Sequence, residues 1–170
     1  FAHFSGENSI SNTKQLYLSI FGKVVFFSII LFSFYIMFNQ AFVSIWVGPD
    51  HFLENPISLL IAISLFFTFI SNFNCYLLGA IGDIKHPSKL LFIESIISIV
   101  ALYVGLKYIG IFAVPFVGIV VGSFFSIVYI HRWSLMLEMG HRELVLSLKP
   151  FLLPFVTWIL IDVLFFYFKL

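Results

Sequence analysis

The sequence predicts an all-α, polytopic transmembrane helix bundle of about five spans. Three observations carry that prediction. The 170 residues are 61% hydrophobic and 10% charged, with a mean hydropathy of +1.10. Soluble domains carry about 25% charged residues, so too little polar surface is left here for a water-facing exterior and lipid must be the solvent. Apolar runs of membrane length alternate with short polar turns, and Lys and Arg collect on alternate turns.

Taken in order, residues 1–23 are the most polar stretch and read as a cytoplasmic loop leading into a short interfacial helix. Ser11 or Asn12 is a candidate N-cap, with Leu16, Ile20 and Val24 on one face at helical spacing. The first span is expected at 24–45, because a hydrocarbon core of about 30 Å needs about 20 helical residues. Asn39 and Gln40 sit near its far end, and Trp46 marks the boundary. The loop 48–56 carries Asp50, His51 and Glu54 but no Lys or Arg, and Pro56 suits the first turn of a second span at 57–80. A short basic loop, 81–89, precedes a third span at 90–108. The tight turn Lys107-Tyr108-Ile109-Gly110 then leads into a fourth at 111–130. Residues 24–130 thus form a four-span unit.

In the connector 131–149, Trp133, Leu137, Gly140, Leu144 and Leu148 recur at helical spacing opposite Glu138, His141, Arg142 and Glu143. That pattern predicts an amphipathic helix lying in the interface plane. Pro150 and Pro154 open an additional C-terminal span within 150–170.

Under five spans, Lys14, Lys23, Lys85, Lys89, Arg132, Arg142 and Lys149 share one side, against Lys107 and Lys169 on the other. The positive-inside rule makes the first side cytoplasmic. A net charge of +1 without a basic stripe argues against nucleic acid as a partner. Cys75 is the single cysteine, so no intrachain disulfide forms. No GxSxG, P-loop, HExxH or CxxC pattern occurs, and Asp50-His51 with Glu54 supplies too few ligands for a metal. Neither an enzyme nor a cofactor is expected. The chain opens Phe1-Ala2-His3 and ends one residue after Lys169, which reads as an internal or C-terminal piece of a longer protein.

Charged groups in hydrocarbon cost about 2.5–3.5 kcal/mol at the centre and need a partner or a water path. Glu94, near the start of the third span, and Asp162, past the middle of the fifth, are the two acids so placed. Either bonds a neighbouring helix, faces a wet gap, or handles a substrate or coupling ion. Asn72 and Asn74 lie two residues apart in the second span and so on opposite faces, with Asn72, Tyr76 and Gly79 sharing one. Asn72 and Glu94 fall at comparable depth on consecutive antiparallel spans and are expected to meet. Gly118, Gly122 and Ser126 form a small-residue ridge for close helix packing within the bundle, or for dimerisation.

Several stretches in this order carry a resemblance: Ser5-Gly6-Glu7, Trp46-Val47-Gly48 with Phe52, Leu78-Gly79-Ala80-Ile81-Gly82-Asp83-Ile84-Lys85, Ile93-Glu94-Ser95-Ile96-Ile97-Ser98-Ile99 and Tyr108-Ile109-Gly110-Ile111-Phe112-Ala113. Over about residues 4–130 the chain resembles the C-terminal half of the polysaccharide-biosynthesis membrane proteins, the O-antigen or capsule repeat-unit flippases. These belong to the superfamily that also holds the multidrug exporters. The family often has Asn where Ile97 stands, and Gly-Val-Ala after the tight turn. The resemblance implies part of the second lobe of a two-lobed exporter in the bacterial inner membrane. Such exporters move a lipid-linked oligosaccharide of the undecaprenyl-pyrophosphate type between leaflets by alternating access. It also implies an N-terminal lobe of the same protein as partner. No Lys or Arg lies mid-membrane here, so a cationic cavity lining would come from that lobe. Glu94, Asn72 and Asp162 would bind sugar hydroxyls or carry a coupling proton. A cation-coupled drug exporter of the same superfamily is the first alternative. A membrane enzyme of polysaccharide assembly and a passive structural subunit follow.

Overall fold

A computed structural model describes residues 10–51, 55–140 and 142–150. Four long helices dominate them: α1 (Ile10–Trp46), α2 (Asn55–Ala80), α3 (Lys85–Ile109) and α4 (Ala113–Met136). A fifth helical segment, α5, covers 142–150. The described residues are all-α, with three apolar helical segments among them long enough to cross a membrane: Ile10–Trp46, Pro56–Ala80 and Lys85–Met136. The last is 52 residues long and turns at Gly110–Phe112 into the two arms α3 and α4. The expected span at 151–168 and the loop at 1–9 lie outside the described residues.

Residue pairs give the topology. Tyr17 meets Asn74 and Asn39 meets Ser58, so α1 and α2 are antiparallel. Gly105 lies against Ala113 and Val117, so α3 and α4 form an antiparallel hairpin. Gly118 sits at Ser64, Gly122 at Phe67 and Trp133 at Asn74, so α2 and α4 run parallel. One end of the bundle therefore gathers the start of α1, the end of α2, the start of α3 and the end of α4. Lys14, Lys85, Lys89 and Arg132 stand on these segments at that end, while Lys107 is at the other.

The hairpin forms because Gly110 adopts φ +58, a left-handed conformation that costs glycine little. The Ala113 N–H then bonds back to the Gly110 and Ile111 carbonyls and starts α4. The close approach of α4 to α2 has an equally local cause. A side chain on Gly122 would stand 3.2 Å from the Thr68 nitrogen and from Phe67 Cβ, and one on Gly118 would strike Ser64. Ser126 completes the row, its hydroxyl donating to the Phe67 carbonyl at 3.0 Å. The small-residue ridge thus packs inside the bundle, against α2.

The core is built by Tyr17 and Phe21 of α1, Ile70, Cys75 and Leu78 of α2, and Val121, Phe125, Tyr129 and Trp133 of α4. Pro87 is the one buried residue of α3, whose Phe92, Ile99, Val100 and Tyr103 face outward. An apolar exterior wrapped around a core with several polar groups is the arrangement that lipid favours.

The connector departs from expectation. In place of one helix over 131–149, α4 runs on to Met136 and the chain breaks before α5. The break follows from Glu138 at φ +50 and from a reciprocal cap. The Gly140 N–H donates to Glu143 Oε2 at 3.0 Å, and the Glu143 N–H donates to the Gly140 carbonyl at 3.0 Å. Trp133, Leu137 and Leu144 of the expected stripe are buried in the core. Likewise α1 is a single 37-residue helix, with the interfacial helix and first span continuous. At about 1.5 Å per residue it reaches about 55 Å, longer than the hydrocarbon core.

Candidate functional site

One face of α2 carries buried polar side chains. Ser71, Asn74, Cys75 and Leu78 follow at helical spacing and are all buried. Asn74 is the centre of this face. The Tyr17 hydroxyl donates to Asn74 Oδ1 at 2.8 Å, and Asn74 Nδ2 donates to the Ile70 carbonyl at 2.8 Å. The Trp133 indole N–H donates to the Asn74 carbonyl at 3.3 Å. The rings of Tyr17 and Trp133 stack with centroids 4.5 Å apart. Three helices are thus locked to one amide, with each polar atom satisfied internally as an apolar surrounding demands.

One helical turn back along α2, Ser71 meets the acid, Glu94 of α3. The Ser71 hydroxyl donates to Glu94 Oε1 at 3.3 Å. Glu94 Oε2 is shielded and has no hydrogen-bond partner among the described residues, and the same holds for the Tyr129 hydroxyl. Tyr129 has no exposed surface, and its hydroxyl lies beside Glu94 and the Cys75 thiol. Glu94 therefore meets Ser71 and Tyr129 rather than Asn72. The reason is helical phase: Ser71 shares the inward face with Asn74 and Leu78, whereas Asn72 is rotated out of it. Asn72 lies in a shallow groove with Phe69, Phe73, Tyr76, Leu77 and Ala80. Asp162 lies outside the described residues.

Two ion pairs close the basic end among the described residues. Arg132 holds Asp83 Oδ2 through two nitrogens at 3.1 Å, tying the end of α4 to the α2–α3 turn. Lys14 Nζ reaches Glu143 Oε2 at 2.7 Å and the Glu138 carbonyl at 3.3 Å, tying the start of α1 to the break before α5. The Lys14 ammonium, with the Gly140 N–H, holds the Glu143 carboxyl below the usual carboxylate range. No three His, Cys, Asp or Glu side chains come together in a metal-binding group among the described residues.

Tyr17, Ser71, Tyr129 and Trp133 are the site residues that sequence reasoning missed. A signal for two of them was present. Continuing the ridge Gly118, Gly122, Ser126 by further helical steps lands on Tyr129 and then Trp133. Ser71 and Tyr17 carried no comparable mark. The comparisons with known proteins add no identity: no family model matches the chain, and no curated protein or solved structure matches it either.

Proposed function

We propose that this chain forms membrane-embedded helices of a transporter that moves lipid-linked oligosaccharide repeat units across the bacterial cytoplasmic membrane. The observation that carries the reading is Glu94, an acid held between α2 and α4 with one of its oxygens unpaired among the described residues. Ionisable groups inside a membrane bundle are costly and mark ion or substrate paths. Three of the stretches that carry the resemblance fall at helix ends, as the family's turns would, while residues 93–99 lie within α3. Trp46 ends α1, residues 78–85 span the α2–α3 turn, and 108–113 span the α3–α4 turn. The basic end would face the cytoplasm under the positive-inside rule.

The test is deletion of the gene from its source organism and complementation with the full-length protein. The expected outcome is loss of surface polysaccharide, with lipid-linked repeat units accumulating in the inner leaflet. Unchanged surface polysaccharide discards the reading. Sugar-transferase genes beside this one would support it further. The aromatic groove of Phe69, Phe73 and Tyr76 around Asn72 favours a second reading, a cation-coupled drug exporter, which efflux assays on the full-length protein separate from the first.

A further inference from the structure

Glu94 Oε2 and the Tyr129 hydroxyl are the two buried side-chain polar atoms without a hydrogen-bond partner among the described residues, and they belong to neighbouring side chains. Each such atom carries an unpaid desolvation cost of about 1–3 kcal/mol, more for a charged group. Two together at one place are better explained by something that binds between them than by two independent defects. An ionised Glu94 would be a partly buried charge with only the Ser71 hydroxyl, at 3.3 Å, and the neighbouring Tyr129 hydroxyl to stabilise it. Among the described residues no ion pair holds it, and the two basic side chains that form ion pairs, Arg132 and Lys14, engage Asp83 and Glu143. The titratable groups facing Glu94 are Tyr129 from α4 and Cys75 from α2, with none from α1 among the described residues.

We propose that Glu94 and Tyr129 form a binding site for one exchangeable proton. With the proton on Glu94 Oε2, the carboxyl donates to the Tyr129 hydroxyl oxygen, and the tyrosine's own hydrogen turns toward the Cys75 sulfur. Ser71 continues to donate to Oε1, so every polar atom of the cluster is paired and no charge is buried. On release, the O–H bond of Glu94 breaks, its electron pair stays on the carboxylate and the proton passes to a water molecule. The Tyr129 hydroxyl then rotates and donates to Oε2. The two states reverse the Glu94–Tyr129 bond and make or break the Tyr129–Cys75 bond, so proton occupancy is coupled to how α4 meets α2. This deepens the transport reading but rests only on the helix bundle and not on the nature of the cargo.

The test is labelling of the full-length protein in liposomes with dicyclohexylcarbodiimide, which adds to protonated carboxyls in apolar surroundings, read by mass spectrometry of the peptide containing residue 94. Glu94 is expected to label, with the rate falling about tenfold per pH unit above its midpoint, as a single-proton site requires. Glu94→Gln should abolish the label. Tyr129→Phe, checked for unchanged helicity and monodispersity, should keep the label but shift the midpoint. Absence of label at Glu94, a midpoint unmoved in Tyr129→Phe, or protection by sodium but not by choline each overturns the proposal. Sodium protection would point to a metal-cation site instead. None of these readouts depends on polysaccharide export, so this proposal and the flippase reading fail separately.

Discussion

Tyr17 and Trp133 stack at 4.5 Å and both bond the same residue, Asn74, one through the side-chain oxygen and the other through the main-chain carbonyl. α1, α2 and α4 therefore meet at a point where ring packing and hydrogen bonding reinforce each other. Aromatic pairs contribute about 0.5–1.5 kcal/mol beyond their buried area. Interhelical hydrogen bonds in membranes average about 0.6 kcal/mol. The stack is thus comparable to or stronger than either polar bond taken singly.

That ranking gives an order of mutational cost. Tyr17→Phe should cost about 1 kcal/mol, since the ring stack survives but the buried Asn74 Oδ1 loses its donor. Asn74→Ala should cost about 1–3 kcal/mol, because the Tyr17 hydroxyl is then left buried and unpaired. Trp133→Ala should cost most, about 3–5 kcal/mol, through the cavity it opens. Unfolding in mixed detergent micelles measures all three, and a Tyr17→Phe cost above that of Asn74→Ala would contradict the arrangement.

Gly122 and Gly79 make a matched pair. At Gly122 an added side chain meets backbone and Phe67, whereas at Gly79 it meets nothing within 4 Å. Gly122→Val should cost about 1–3 kcal/mol through overpacking of α4 on α2. Gly79→Ala should be neutral or stabilise by up to about 1 kcal/mol, because alanine is the better helix former. The same unfolding assay separates them.

The Lys14–Glu143 tie should depend on pH in a stated direction. The folded-state carboxyl is held below its usual range by Lys14 and the Gly140 N–H. Its contribution is therefore present above the ordinary carboxylate range and lost as pH falls through the lowered one. Spin labels at Ser19 and Ser147, which face one crevice between α1 and α5, should separate on acidification and in high salt. A distance that is constant under both changes would contradict the tie.

Arg132 and Asp83 should behave as a pair. Asp83 is the more buried acid of the two bridges, its side chain 14% exposed against 43% for Glu143, so solvent screens it less. Asp83→Arg alone should loosen the α2–α3 turn and expose it to protease. Adding Arg132→Asp should restore protection, and no rescue would assign the turn's order to backbone alone.

The bundle geometry also predicts sidedness. Cysteines placed at Asp50 and at Lys85, in an otherwise cysteine-free protein, should react with an impermeant maleimide from opposite sides of the membrane. The α1–α2 turn and the α2–α3 turn stand at opposite ends of α2. Labelling of both from one side would break the threading.

Membership of the lipid phase was written in the composition, because transfer free energy sums over residues whatever their partners. The ends of the long helices were legible for a similar reason: Trp46, Pro56 and Gly110 act on their immediate surroundings. The ridge Gly118, Gly122, Ser126 was legible as a packing surface because helical spacing places its members on one face. The partners were not. Whether Ser71 or Asn72 meets Glu94 turns on about 100° of helix rotation, which the packing of α4 against α2 decides. The break at residues 137–140 was hidden as well, since a capping bond and a left-handed Glu138 leave the apolar spacing unchanged. Sequence alone determined which segments seek lipid and where they turn. Tertiary structure decided which polar atoms are paired, because that depends on helix phase and contact between segments far apart in the chain.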